Sequence, residues 1–279
     1  MVVVLAALFA MPIFVTFTNS FMDGFEIRNR YALDVLPANY LHTLDILPQI
    51  HFVRMTLIPS FVTLSQYIML FMNIEYITSL WNSVLITLPS VVGSVFIALP
   101  TAYAFEMAGW RHKEKLFFIF IVVMLMPLPV VLVPQFIMAM NLGIHESMLA
   151  VILPGIFNPF AVFLLRQFMK TFPKECLEAA QIDGAGHVRI LASIVTPIMK
   201  PALTALALLV FVDYWNVVDQ AIVFITDIGR LPLSVYLSRI VHSFDFIFAA
   251  SFFYMLPALF VFLWGQESLV QGIKMSRLK

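Results

Sequence analysis

Charge is what this 279-residue chain has least of: Asp, Glu, Lys and Arg together make up 11% of it, against roughly a quarter in an ordinary soluble domain. So few charges cannot clothe a water-facing surface, which excludes a cytosolic globular enzyme and a disordered chain alike. Cysteine is scarcer still. The single Cys176 excludes an internal disulfide and any cysteine-based metal cluster. None of the 10 glycines is followed by lysine, so the chain has no G-x-x-x-x-G-K-S/T phosphate loop with which to bind ATP. H-E-x-x-H is absent, His187 and His242 belong to no ligand cluster, and no metal site is expected. No G-x-S occurs to supply a hydrolytic serine, and Asp213 and Asp219, six residues apart, make a poor acid–base dyad, so an intramembrane enzyme is disfavoured. Neither sign of charge is in excess, with 16 Lys+Arg against 16 Asp+Glu, and nothing points to nucleic acid as a partner.

What the chain has in abundance is apolar sequence, 62% of residues with a mean hydropathy of +0.96. About 20 residues of helix cross a bilayer. Five stretches without charge reach that length, or nearly so, at residues 1–19, 81–105, 116–139, 147–165 and 246–266. A sixth, 201–226, is equally apolar but carries Asp213 and Asp219. Lipid offers no partner to backbone N–H and C=O groups, so each must be helical. The expected fold is all-α, a polytopic membrane bundle of six transmembrane helices. Pro89, Pro100, Pro127, Pro129 and Pro134 are expected to kink these helices rather than end them. Residues 55–74 lack charge but hold Thr56, Pro59, Ser60, Thr63, Ser65, Gln66 and Asn73, and they read as an external segment resting on the bundle. The organisation expected is a first helix at 1–19, an enlarged extracytoplasmic loop at 20–80, a core at 81–266 and a cytoplasmic tail at 267–279.

Positive charge fixes the orientation. Six spans leave 11 Lys and Arg inside and 5 outside, which places the C-terminus in the cytoplasm; a seven-span arrangement that includes 55–74 scores 14 against 2, so charge alone leaves the count open. The chain begins directly in apolar sequence without a basic leader or a clean small-x-small site. This suggests a trimmed or misassigned start rather than a cleaved signal peptide.

One inner loop, between Leu165 and Pro201, is patterned. Pro173 suits a first helical turn, Lys174 to Ile182 reads as a short helix, and Asp183-Gly184-Ala185-Gly186 breaks it where glycine tolerates a left-handed backbone. A second helix runs from His187 towards Pro197. The result is a helix–turn–helix with small residues at its bend, open to close approach by another protein. Its spacing is Glu178-Ala179-Ala180, three residues, Gly184, nine residues, then Ile194-x-x-Pro197. That pattern resembles the EAA loop, here at 166–200, of importer permeases of the ATP-binding-cassette (ABC) superfamily; Thr196 departs from the usual leucine. Leu57-Ile58-Pro59, Trp81-Asn82-Ser83, Ala102-Tyr103-Ala104-Phe105, Met126-Pro127, Phe163-Leu164-Leu165-Arg166, Trp215-Asn216 and Gln271-Gly272-Ile273-Lys274 extend the resemblance to maltose-type carbohydrate permeases. Residues 21–55 have no counterpart there.

The resemblance implies a type I ABC importer permease in a bacterial inner membrane. It would pair with a sister permease, stand over two ATPase subunits that bind ATP and magnesium, and receive a carbohydrate from an extracytoplasmic binding protein. The permease itself would need no cofactor. Glu178, Ala179, Ala180, Asp183 and Gly184 would then form the coupling helix and its turn, with Glu178 making a polar contact to the ATPase. Separately, the mixed charges of residues 21–50 suggest a seat for the binding protein, with a passive extension an equal alternative. Asp213, Tyr214, Trp215 and Asn216 are candidates for the translocation path, with packing against neighbouring helices an equal alternative. Rival readings are a secondary transporter, which should show two similar halves that this sequence lacks, and a permease for a non-sugar solute.

Overall fold

The structure, a computed structural model, describes residues 2–31, 58–107, 109, 111–240 and 245–276. His242 and most of the 21–55 stretch lie outside the described residues, as does the end of the tail. Among the described residues there is helix and no strand. The helices in chain order are α1 (Val2–Asn19), α2 (Gly24–Tyr31), α3 (Ser65–Met72), α4 (Ile74–Met107), α5 (Lys113–Met124), α6 (Leu128–Asn141), α7 (Leu149–Ile156) and α8 (Pro159–Met169). There follow α9 (Lys174–Ile182), α10 (His187–Ile190), α11 (Thr196–Ile198), α12 (Lys200–Trp215), α13 (Asp219–Phe224), α14 (Leu233–Arg239) and α15 (Ile247–Ser276). Ile74–Met107, Leu149–Met169 and Ile247–Glu267 are each long and apolar enough to cross a membrane; two bent pairs bring the number to five, and Val4–Asn19 is a shorter apolar helix.

The chain divides into two compact units. The first comprises Met1–Leu80 and Val235–Pro257. At its centre the buried Gln66 donates from Nε2 to the carbonyls of Asn19 (2.7 Å) and Met22 (2.8 Å) and accepts from the amide of Ala249 (3.2 Å). One side chain thus satisfies backbone groups at the end of α1 and the start of α15, where an orphan would be costly. Its helix α3 has eight residues, about 12 Å at 1.5 Å per residue and too short to cross a bilayer.

The second unit comprises Trp81–Ser234 and Ala258–Lys279. Helix α4 starts seven residues before the expected Trp81 and runs for 34 residues through Pro89 and Pro100. Ser83, Thr87, Ser90 and Ser94 lie buried along one of its faces at helical spacing. Such small residues let backbones approach in a membrane, where packing rather than water drives association. Proline does more than kink the next span. The chain turns through 106° between α5 and α6, with the break at Leu125–Pro127, so Pro127 ends one helix and starts another, while Pro134 stays inside α6. Pro159 occupies the first position of α8, and the Asn158 side chain caps that helix by accepting from the Phe160 amide at 2.9 Å.

The stretch at 201–226 is also not one helix. Helix α12 stops at Trp215, Asn216 to Val218 break it, and the six-residue α13 follows. Hydropathy could not reveal that stop, because apolar residues continue on both sides. At its other end α12 meets the segment His187–Ile198 at 79°. That segment contains a π-helical turn at Leu191–Val195, where the Thr196 hydroxyl donates to the Leu191 carbonyl at 2.7 Å.

Candidate functional site

Two places gather the residues that the sequence singles out. The first is the helix–turn–helix of α9 and α10. Pro173 precedes α9 in extended conformation, and Leu177 and Ala180 anchor one face of α9 in the protein. The opposite face carries Glu175, Cys176, Glu178 and Ala179, all exposed. The Glu-Ala-Ala run is therefore split. Glu178 and Ala179 look outward, whereas Ala180 is only 9% exposed and packs inward.

Helix α9 ends at Asp183, and Gly184 takes φ +78°, the left-handed backbone that glycine adopts without penalty. The Gly184 amide donates to Gln181 (3.0 Å) and the Ala185 amide to Ala180 (3.0 Å), closing the last turn. Gly186 has φ −69° and only precedes α10, so the reversal rests on Gly184. Ile182 and Val188 flank it at 86% and 82% exposure. Two large aliphatic side chains this bare, on a turn that is not part of an apolar span, mark a surface built to be covered. On the inner side the Tyr103 hydroxyl and His187 Nδ1 share a hydrogen bond of 3.0 Å that ties α10 to α4.

The second place is a cavity of about 670 Å³, open on one side, with walls mainly from α6, α7 and α12. Most of the lining is apolar, but Gln135, Asn158, Asp213, Tyr214 and Gln220 bring polar atoms to it. That size lies in the range of small-ligand sites, and a few polar groups converging on apolar walls is their usual make-up. Gln135 Oε1 is shielded from solvent and has no hydrogen-bond partner among the described residues. Asp213 is exposed and also lines a second, smaller cavity beside Asn158 and Phe160.

The four path candidates do not share the same surroundings. Asp213 and Tyr214 line the cavity; Trp215 and Asn216 do not. Trp215 is 2% exposed and stacks on Phe211, with centroids 5.5 Å apart and planes at 11°. Asn216 ends α12, its side-chain amide donating to the Val212 carbonyl at 2.7 Å. Trp215→Ala is accordingly expected to destabilise the folded chain by about 3–5 kcal/mol, the usual cost of an emptied aromatic site. Thermal unfolding in detergent measures this, and an unchanged midpoint with altered uptake would return Trp215 to the path.

Sequence reasoning did not identify Gln135, Asn158 or Gln220, which come from separate elements; their only signal was amide side chains in apolar surroundings. Among the described residues no three His, Cys, Asp or Glu side chains gather as a metal site.

Comparison with known proteins bears on the family and the fold. The sequence model of the family described as "Binding-protein-dependent transport system inner membrane component" matches residues 82–275. The arabinooligosaccharides transport system permease protein AraQ of Halalkalibacterium halodurans is 30% identical over 79% of this chain and 81% of its own. The osmoprotective compounds uptake permease protein GgtD of a Synechocystis species is 30% identical over 71% of this chain and 69% of its own. Among solved structures, a chain of a bacterial ABC transporter involved in import of the acidic polysaccharide alginate superposes with a TM-score of 0.78. It is 22% identical and covers 95% of this chain and 92% of that one, a likeness of fold.

Proposed function

The chain belongs to the family of binding-protein-dependent transport system inner membrane components, and from that membership we propose that it is one permease subunit of an ATP-driven importer that passes an oligosaccharide through a bacterial cytoplasmic membrane. Its C-terminus lies in the cytoplasm. A sister permease completes the passage, two ATPase subunits bind ATP and magnesium from below, and an extracytoplasmic receptor delivers the solute.

The observation that carries this reading is the bare turn between α9 and α10. Ile182 and Val188 stand exposed beside Glu178 and Ala179, and α9 is anchored to the permease through Leu177 and Ala180. A helix held on one face and uncovered on the other can transmit a push. When the nucleotide-binding subunits close, rigid-body displacement of α9 and α10 would tilt the attached spans. Cys176 is the chain's single thiol and is exposed on α9, which makes it a native crosslinking handle. In an assembly that imports solute, a short bifunctional reagent at Cys176 is expected to capture the ATPase. A working assembly that never yields that adduct contradicts the reading.

The cavity at Asp213 is the proposed passage. A carboxylate and amide side chains among apolar walls suit a neutral polyhydroxylated solute, since hydroxyls donate to the acceptors while ring faces lie on aliphatic surface. Asp213→Asn retains shape and removes charge. It is expected to raise the KM for uptake about tenfold, an interaction of charged-hydrogen-bond size, with ATPase assembly unchanged. Equal kinetics in this variant would remove Asp213 from the path. A small polar solute other than a sugar is the second reading, favoured by the likeness to the osmoprotectant permease.

A further inference from the structure

Helix α8 runs towards the coupling segment, and near its end lies the largest fully buried side chain in the described structure, Arg166, at 1% exposure. An arginine there need not be buried, because its length would let it reach water. Two other helices instead converge on it. Its Nη2 pairs with Glu114 in the first turn of α5. Its Nε lies 3.8 Å from Glu106 Oε2 in the last turn of α4. Its Cζ sits 3.9 Å from the centre of the Phe117 ring on α5 and 5.6 Å from that of Phe105 on α4. Phe117 in turn stacks on Phe163 of α8, centroids 6.1 Å apart. Lys113 donates from Nζ to the Glu106 carbonyl at 3.3 Å, holding together the short link between α4 and α5. One guanidinium thus joins the adjacent ends of three helices by charge and by two ring faces.

The position of this node gives it a consequence beyond packing. Backbone bonds from Lys170 to Arg166, Thr171 to Phe168 and Phe172 to Met169 carry α8 into a closed turn, and α9 begins after Pro173. On the far side of the coupling turn, His187 is bonded to Tyr103, three residues before Glu106 on α4. Both legs of the helix–turn–helix are therefore fastened to the same end of α4, one through Arg166 and one through Tyr103. A displacement of α9 and α10 therefore bears on that end of α4 from two sides.

We propose that Arg166 is the positioning residue that converts movement of the α9–α10 segment into joint movement of α4, α5 and α8, with the Tyr103–His187 bond as the second fastening. This rests on the reading of α9 and α10 as the ATPase contact. It predicts a specific failure: without the node the ATPase still docks and turns over, but the spans do not follow.

The test uses the complete importer in proteoliposomes, with ATP hydrolysis and solute uptake measured in the same vesicles. Cys176 crosslinking serves as an independent check on docking. Arg166→Met, of similar length and without charge, is expected to lower uptake per ATP hydrolysed about tenfold while hydrolysis stays within about threefold of the parent. Arg166→Lys, which keeps the charge but not the planar fork, should recover part of the ratio. Tyr103→Phe, which removes only a hydroxyl, should lower the ratio about threefold. If Arg166→Met does not accumulate, Glu114→Gln takes its place with the same expectation, its side chain being 68% exposed and tolerant of change. An unchanged ratio, including equal losses of uptake and hydrolysis, assigns Arg166 to folding alone and overturns the proposal. Failure of parental Cys176 to capture the ATPase instead overturns the underlying reading, so the two failures are told apart.

Discussion

Gly184→Val is expected to abolish uptake, by at least about a hundredfold, while the chain still inserts and folds. Gly184 has φ +78°, and a Cβ built on it would meet nothing within 4 Å. The valine therefore has room within the subunit, and its intrinsic cost is the left-handed backbone, roughly 1–2 kcal/mol. That is tolerable for a helical membrane chain, but its effect is local. To escape φ > 0 the turn must open, and the geometry that presents Ile182, Val188 and Glu178 together is lost. The branched side chain also occupies the bend itself, where a partner's surface would come closest. Gly184→Asn separates the two effects, because asparagine accepts the left-handed conformation yet still adds bulk. If asparagine is as damaging as valine, the surface is crowded; if it is nearly active, the backbone is what matters. Uptake in vesicles and protein abundance in the membrane are the two readouts, and normal uptake in the valine variant would remove this turn from coupling.

This turn was legible in the sequence because its physical cause is local. A short helix-forming run, an aspartate and a glycine in succession specify a C-terminal cap whatever surrounds them. The apolar lengths of the spans were legible for the same reason, since a bilayer reads composition over 20 residues without regard to partners. The inference faltered where the outcome depends on a group elsewhere in the chain. Pro127 was visible as a proline, but whether it kinks or divides a span depends on where the freed backbone groups go. Here the amides of Leu125 and Met126 close onto Ile121 and Val123, at 3.1 and 3.2 Å, and the helix stops. Trp215 was visible as an aromatic in a polar cluster, but Phe211, one turn earlier, claims its ring. Ala180 read like Ala179 until the rotation of α9 placed one inward and the other outward.

Arg166 illustrates the same limit for charge. Counted along the chain, it is one of the positive residues that set orientation and closes the Phe163-Leu164-Leu165-Arg166 stretch, and neither role foretells its burial. Only the convergence of α4 and α5 on α8 makes it a buried cation between two rings and two carboxylates. The cavity has the same origin. Gln135, Asn158 and Gln220 are dispersed over 86 positions of sequence, and no pattern in any one helix links them to Asp213. What one element dictates can be read from its residues; what several elements assemble cannot.

A close approach beside the cavity in the second unit gives an expected effect on stability and uptake together. A Cβ added at Gly155 of α7 would lie 2.5 Å from Cζ and 2.8 Å from Cε1 of Tyr214, and 2.9 Å from Cβ of Ser90. The obstacles are a ring body and the first carbon of a helical serine, neither of which is a flexible tip that could swing aside. Tyr214 is itself buried and lines the cavity, so relief would come from driving its ring into the cavity or from separating α7 from α12 and α4. Gly155→Ala is therefore expected to lower stability by about 1–3 kcal/mol, the ordinary cost of overpacking, and to reduce uptake at the same time. Gly155→Leu should prevent accumulation of folded protein. Gly109→Ala, where an added Cβ meets nothing within 4 Å, is the neutral control. The clash is pairwise, so shortening the opposing side chain should relieve it. In a double-mutant cycle, Gly155→Ala combined with Tyr214→Val is expected to be more stable than the sum of the two single losses predicts, by about 1 kcal/mol or more. Thermal unfolding in detergent supplies all four corners of the cycle. Strict additivity would show that the two residues do not press on one another, and with it the close contact of α7 with α12 beside the cavity would be lost as an explanation for glycine at this position.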